Sequence, residues 1–450
     1  MLFRCLRCLL FIICCSCLIF IFTVHIDRLP NTATVSNHLY PIIHSSNTTS
    51  ELLKKVQKNV EERPWYLTNG ARWPVAAKID SKTGRRDAKL WPNEDKEGDR
   101  ILDQLMFIPP NNGKPLPMKT IYIVAPGMSL IEWEFHHPKG SREPFVTCPV
   151  NRCKATTNSA DSLDADAILF VNNFHDPGHH KPAKQVWIMY RMESPLNSEH
   201  LTDVHQDVYN LTATYMRNSD IVRAYFKWVY YDEQQTEWQG PPRNFAAGKT
   251  RKVAWFVTNC IYSVNNNRLQ YARLLAKHIQ VDMYGACGAQ YQCPRSNEAA
   301  CFRLLETKYK FYLAFENSNC REYITEKYFK NSLQHNVIPI VMGAPREDYE
   351  LVSPKHSFIH VEDFDSPKDL ATYLHKLDQD DDLFNSYFKW RGMGEMIEGY
   401  FYCRLCAMLH DDYPNKYYER IDDFWRKPGS CTKGTWREYR ISGSAKETVP

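Results

Sequence analysis

What most limits the fold of this chain is an alternation. Short apolar, β-branched runs recur through its middle, and helical patterns separate several of them. The runs are residues 120–125 (TIYIVA), 165–171 (ADAILFV) and 186–190 (VWIMY), then 253–258 (VAWFVT), 281–284 (VDMY), 311–315 (FYLAF), 337–342 (VIPIVM) and 358–361 (FIHV). Helical periodicity marks residues 268–279, 324–334 and 367–377. Strands this apolar need cover on both faces, which intervening helices supply, so the pattern predicts an α/β fold with parallel sheets. Residues 239–252 (QGPPRNFAAGKTRK) are rich in turn formers and read as a linker between two groups of strands. The expected domains are therefore residues 118–239 and 252–396.

A second constraint lies at the N-terminus. Residues 8–26 (CLLFIICCSCLIFIFTVHI) contain no acidic residue, Lys or Arg. About 20 such residues cross a hydrocarbon core of about 30 Å. Arg4 and Arg7 precede the run, so residues 1–7 are expected in the cytosol and the rest of the chain in a lumen. A cleaved signal peptide is the alternative, but the run exceeds the usual apolar core of such peptides and no small-residue cleavage site follows. A single-pass type II anchor is expected, followed by a stem over residues 27–117. Cys5, Cys8, Cys14, Cys15 and Cys17 lie in or beside the run. The other ten cysteines form an even luminal set suited to disulfides in an oxidising compartment. Asn47 and Asn210 open N-x-S/T sequons, read as glycosylation sites exposed in the lumen. The net charge of +4 is small and spread out, and points to no nucleic-acid partner.

Chemistry concentrates in residues 311–327 (FYLAFENSNCREYITEK), read as a strand, a polar loop and the first turn of a helix. Ligands of open parallel sheets bind beyond the C-terminal strand ends, and a helix start there suits a diphosphate. In that turn, Glu326 can accept ribose hydroxyls and Lys327 can neutralise a departing phosphate. Ordinary helix capping by Thr325 and Glu326 accounts for the same residues equally well.

With residues 337–349 (VIPIVMGAPREDY), 357–367 (SFIHVEDFDSP) and 387–391 (YFKWR), that segment resembles the α1,3-fucosyltransferase family, glycosyltransferase family 10. Residues 190–195 (YRMESP) and 209–221 (YNLTATYMRNSDI) resemble its acceptor-domain motifs in the same order. The fragment GAPREDY and the region 403–407 (CRLCA) are closer to invertebrate members, including those acting on the N-glycan core. The resemblance implies a GT-B arrangement of two Rossmann-like domains facing a cleft. It also implies a Golgi membrane enzyme that moves fucose from GDP-fucose onto the 3-hydroxyl of GlcNAc in a glycoprotein N-glycan. Glu193 then matches the proposed general base, Arg268 and Lys327 the donor-phosphate cations, and Glu326 a ribose ligand. Tyr323 and Asn317 match positions lining the GDP site, and Val257, Thr258 and Asn259 a donor-site loop.

Some positions depart from the family pattern. Glu322 stands where Asp is usual, Asn218 follows Arg217 in place of Asp, and Ala224-Tyr225-Phe226 replaces Pro-Tyr-Gly. The pairs Cys148/Cys153 and Cys403/Cys406 could bind zinc by residue type. The family's bridges imply instead two disulfides joining the start of the catalytic region to its end, with residues 397–450 returning to the first domain. Pairings among Cys260, Cys287, Cys293, Cys301, Cys320 and Cys431 stay open. Two further motifs are set aside: Gly248-Lys249-Thr250 lacks phosphate-loop spacing, and Asp164-Ala165-Asp166 begins a strand rather than ending one. No cofactor is required by the sequence, and Mn or Mg is expected at most to stimulate. The rival readings are a Lewis-type enzyme acting on antennal N-acetyllactosamine and a catalytically silent Golgi glycan-binding protein.

Overall fold

The computed structural model describes residues 61–76, 87–110, 114–124, 144–200, 207–260, 265–288, 293, 297–412 and 416–438. The apolar run at 8–26 and the sequon at Asn47 lie outside them. Among the described residues, no helix is long and apolar enough to cross a membrane.

Two parallel five-stranded sheets carry the fold. The first contains β1 (Lys119–Val124), β2 (Cys153–Thr156), β3 (Ala167–Val171), β4 (Val186–Arg191) and β5 (Leu211–Thr214), in the order β2-β1-β3-β4-β5. After β6 (Lys227–Tyr230), the second contains β7 (Arg251–Phe256), β8 (Val281–Tyr284) and β9 (Tyr309–Phe315). It is completed, beyond the short β10 (Asn319–Cys320), by β11 (Ile338–Met342) and β12 (Ile359–His360), in the order β12-β11-β9-β7-β8. β13 (Gly394–Ile397) pairs antiparallel with β6, and β14 (Cys431–Thr432) with β10. Every residue of β3, β4, β9 and β11 is buried, as the continuous apolar runs predict. In the second sheet the strand order reverses between β7 and β9, which opens a crevice at their C-terminal ends.

Three expectations need correction. Residues 61–110 are not a stem alone. Tyr66, Leu67, Ile101 and Leu105 build one core cluster with Ile397, while Leu90, Trp91 and Phe107 join the core of the first sheet. Short elements with scattered aromatic anchors hid this packing from periodicity. The stretch 239–252 is not a free linker either: Ala246 belongs to the core of the second sheet, and Lys249 Nζ donates to Tyr309 O at 2.7 Å. The helix expected over 324–334 is a turn followed by a five-residue π-helix, Phe329–Leu333. There the N–H groups of Asn331, Leu333 and Gln334 reach the carbonyls of Glu326, Tyr328 and Phe329, five residues back. Ser332 Oγ donates back into the widened turn, 2.5 Å from Tyr328 O and 3.1 Å from Lys327 O. The other two expected helices form as Arg268–Leu275 and Pro367–Gln379, the latter capped by Ser366.

Candidate active site

The C-terminal ends of β4 and β9 meet, one from each sheet. Glu193 lies two residues past β4, half-buried, and all its donors converge on Oε1. Tyr323 OH donates at 2.7 Å, Asn317 Nδ2 at 3.2 Å and the Ser194 backbone N–H at 2.8 Å. Asn317 and Tyr323 both belong to the loop after β9, so one sheet's loop orients the other sheet's carboxylate. Among the described residues nothing donates to Oε2. Burial, with Tyr225 and Glu193 near, holds the Tyr323 hydroxyl protonated far above the usual tyrosine range, which keeps it a donor. Ser194 Oγ and Ser318 Oγ lie 2.9 Å apart and tie the same two loops together.

Lys327 is held by an acid that sequence reasoning did not single out. Glu316, the residue after β9, is fully buried and accepts from Thr325 N–H at 2.8 Å and Thr325 Oγ1 at 2.9 Å. Its other oxygen lies 3.2 Å from Lys327 Nζ, and Glu326 Oε1 lies 3.1 Å from the same nitrogen. Burial works against the Lys327 ammonium, but Glu316 and Glu326 outweigh it and raise its pKa. Burial likewise pushes the Glu316 carboxyl up, and Lys327 pulls it only part of the way back. Glu326 moves down, because Lys327 overcomes its desolvation. The result is a fixed cation beside the crevice. The signal for Glu316 was its place in the FENSNC stretch, directly after a fully apolar strand.

Arg268 opens its helix and is buried at 4% exposure. Its guanidinium donates to Phe315 O at 2.9 Å and to Asn259 O at 3.4 Å, spanning the end of β9 and the loop after β7. Burial lowers its pKa, yet a guanidinium remains charged at neutral pH. Thr258 and Asn259 are exposed at the end of β7, while Val257 is buried and donates its N–H to Tyr284 O at 2.8 Å. Gly285, at φ +96°, is where a Cβ would stand 2.6 Å from Val257 O, so only glycine lets β8 close against this loop.

One departure from the family pattern, Glu322, sits in a seam between the sheets. Glu322, at φ +62°, accepts from Arg217 Nε at 3.0 Å and from the Arg217 backbone N–H at 2.5 Å. Asp348, in the helix Arg346–Val352, takes Arg321 Nη2 at 2.8 Å and the Glu322 N–H at 2.7 Å. Tyr225 donates to Met192 O at 2.7 Å, next to Glu193.

Other site expectations fare differently. Asn210 is buried, its Oδ1 accepting from Trp187 N–H at 2.9 Å and its Nδ2 donating to Lys416 O at 3.0 Å. At 6% exposure the Asn210 amide leaves little surface for a glycan, which argues against that sequon. Cys148 bonds to Cys403 and Cys153 to Cys406. His410 lies near the second bridge, but both sulfurs are taken up in it, which removes the zinc alternative. The remaining pairs are Cys260–Cys287, Cys293–Cys301 and Cys320–Cys431. Asp166 is occupied by Lys119 Nζ at 2.9 Å and Thr120 N–H at 2.8 Å, a structural role.

Chemically, the crevice offers a carboxylate with one open oxygen and two fixed cations around the end of β9. Known proteins similar in sequence to this chain are of one kind. The family model described as Glycosyltransferase family 10 (fucosyltransferase) C-term matches residues 246–425, and the model Fucosyltransferase, N-terminal matches residues 118–226. The chain is 44% identical over 402 residues to glycoprotein 3-alpha-L-fucosyltransferase A of Drosophila melanogaster, covering 86% of this chain and 77% of that protein. It is 37% identical over 303 residues to a 3-galactosyl-N-acetylglucosaminide 4-alpha-L-fucosyltransferase of Bos taurus, covering 62% and 78% respectively. A solved alpha1,3-fucosyltransferase with GDP-fucose aligns with a TM-score of 0.44 at 16% identity, over 70% of this chain and 97% of the other.

Proposed function

The chain belongs to glycosyltransferase family 10, the fucosyltransferases, and on that premise we propose that it transfers L-fucose from GDP-fucose to the 3-hydroxyl of GlcNAc, with the N-glycan core as favoured acceptor. The observation that carries the reading is the Glu193 carboxylate, held on Oε1 by the loop after β9 and open on Oε2. Oε2 takes the proton of the acceptor hydroxyl as its oxygen attacks the anomeric carbon of fucose from the face opposite GDP. The bond from that carbon to the diphosphate oxygen breaks, its electron pair leaves with GDP, and the configuration inverts. Arg268 and Lys327 stabilise the departing negative charge. Glu326 meets the ribose, and Val257, Thr258 and Asn259 border the nucleotide. Mn or Mg is proposed to add to these two cations, stimulating turnover rather than enabling it.

The two sheets are read as GT-B domains, residues 118–239 holding the acceptor and residues 252–396 the donor, with the segment from 397 returning to the first. Golgi residence as a type II membrane protein is part of the same proposal. The apolar run at 8–26 and the ten luminal cysteines joined in five bridges support it. The core reading is favoured over the antennal one by the similarity to the Drosophila glycoprotein enzyme.

The test supplies the full chain, in detergent, with GDP-fucose and two acceptors, a core N-glycan and N-acetyllactosamine, and follows linkage by mass spectrometry. Fucose on the innermost GlcNAc is expected. Fucose on the antenna alone would replace the acceptor assignment, and GDP binding without transfer to any acceptor would favour the silent glycan-binding reading.

A further inference from the structure

Resting on that donor-site reading, we propose that the C-terminal strap, residues 431–438, positions the nucleotide-sugar end of the site, with Trp436 as its principal positioning residue. The strap lies beyond the segment that the family models match, which ends at residue 425. It contacts the chain just past three strands of the second sheet, where ligands of such sheets bind.

Past β9, β14 pairs with β10 and the Cys320–Cys431 disulfide locks the pair. Asn319 Nδ2 donates to Gly434 O at 2.8 Å, and Asn319 Oδ1 accepts from Asn266 Nδ2 at 3.1 Å. Asn266 Oδ1 in turn accepts the Arg268 backbone N–H at 3.4 Å. Past β11, Trp436 Nε1 donates to Gly343 O at 2.7 Å. Past β12, the Trp436 backbone N–H donates to Glu362 Oε1, also at 2.7 Å.

The Gly343 contact matters most. At φ +148°, a Cβ on residue 343 would stand 2.7 Å from both Cβ and Cγ of Glu316. The backbone that Trp436 pins is therefore seated directly on the acid that holds Lys327. From the strap, one contact path runs through Asn319 and Asn266 to Arg268, and a second through Gly343 and Glu316 to Lys327. A displacement of the strap shifts both cations relative to the diphosphate, and donor affinity is sensitive to such shifts. Trp436 is 3% exposed, so a purely space-filling role is the competing account.

Two variants of the full chain in detergent separate these accounts. Trp436→Phe keeps an aromatic ring and removes the N–H; Trp436→Ala removes both. The readouts are GDP affinity by calorimetry, KM for GDP-fucose, KM for the acceptor, and the thermal midpoint. For Trp436→Phe, GDP affinity and KM for GDP-fucose are expected to worsen about five- to tenfold, the scale of one lost buried hydrogen bond. Its acceptor KM is expected to stay at the wild-type value and its thermal midpoint to fall by a few degrees, as for any one buried hydrogen bond lost, and Trp436→Ala is expected to lose more donor affinity. If wild-type chain binds GDP and Trp436→Phe binds it equally well, the positioning role is overturned. A loss of donor affinity matched by an equal rise in acceptor KM would overturn it too, leaving a space-filling residue. A wild-type chain that binds no GDP would instead overturn the donor-site reading, and the strap's role with it.

Discussion

The two sheets close their cores by different routes. The core of the second sheet runs from Ala246 to Phe388, all from consecutive chain. The core of the first gathers Leu90, Trp91 and Phe107 from upstream and the helix Phe401–Leu409 from the far end of the chain. That helix is fastened by Cys148–Cys403 and Cys153–Cys406, with sequence separations of 255 and 253. One half is thus folded by local sequence, whereas the other is incomplete until the chain returns. Cross-links that close such long loops act mainly on the unfolded state, so the acceptor-side half should be the one most dependent on oxidation.

Removing those bridges gives the largest expected effect. With one bridge gone, the other still closes nearly the same loop, and the chain-entropy model gives a loss of roughly 2–3 kcal/mol for the short loop between them. Removing the second as well frees a loop of about 250 residues and costs about 5 kcal/mol more. Urea midpoints of Cys153→Ser/Cys406→Ser and of the fourfold serine variant measure both steps. Two equal steps would contradict the picture of one shared closure.

Next comes Glu193→Gln, which tests whether the halves divide the chemistry as they divide the fold. A missing general base should lower kcat by about 10³-fold, while calorimetry finds GDP affinity near wild type. Full retained turnover would end the base assignment. On the other sheet, Lys327→Met should lower kcat/KM by about 10²-fold and weaken GDP binding together with it. If GDP binding stayed unchanged there, the cation would lie off the diphosphate.

How much of this was legible in the sequence follows the same division. In the second sheet all five strands carry apolar runs long enough to read; residue types pointed to Glu326 and Lys327, while Arg268 came only through the family resemblance. β2 and β5 were missed because CKAT and LTAT are short and mixed, with neither alternation nor a full apolar run. Trp91 reaching Asp411 at 2.8 Å joins residues 320 apart, and no local pattern encodes such a pairing. Glu316 was overlooked for a related reason: a buried acid reads as loop polarity until Thr325 and Lys327 are seen folded back upon it. The π-helix defeated a pattern tuned to a period of 3.6 residues.

The smallest predicted effect is also a check on that crevice. Glu326 lies against Lys327, which overcomes the desolvation of its carboxyl and lowers its pKa below the ordinary 4.5. A carboxylate with a depressed folded-state pKa contributes stability that is present above its unfolded value and lost as pH falls through the folded one. Its side chain is 45% exposed, so solvent screens the pair and the contribution stays under about 1 kcal/mol. Glu326→Gln should therefore lower the thermal midpoint by about 2 °C at pH 7. The difference from wild type should shrink below pH 4.5 and vanish once wild-type Glu326 is itself protonated. A gap that held constant down to pH 2, or widened, would show that Glu326 acts through packing rather than charge. The fixed charge of Lys327 would then rest on the buried Glu316 alone.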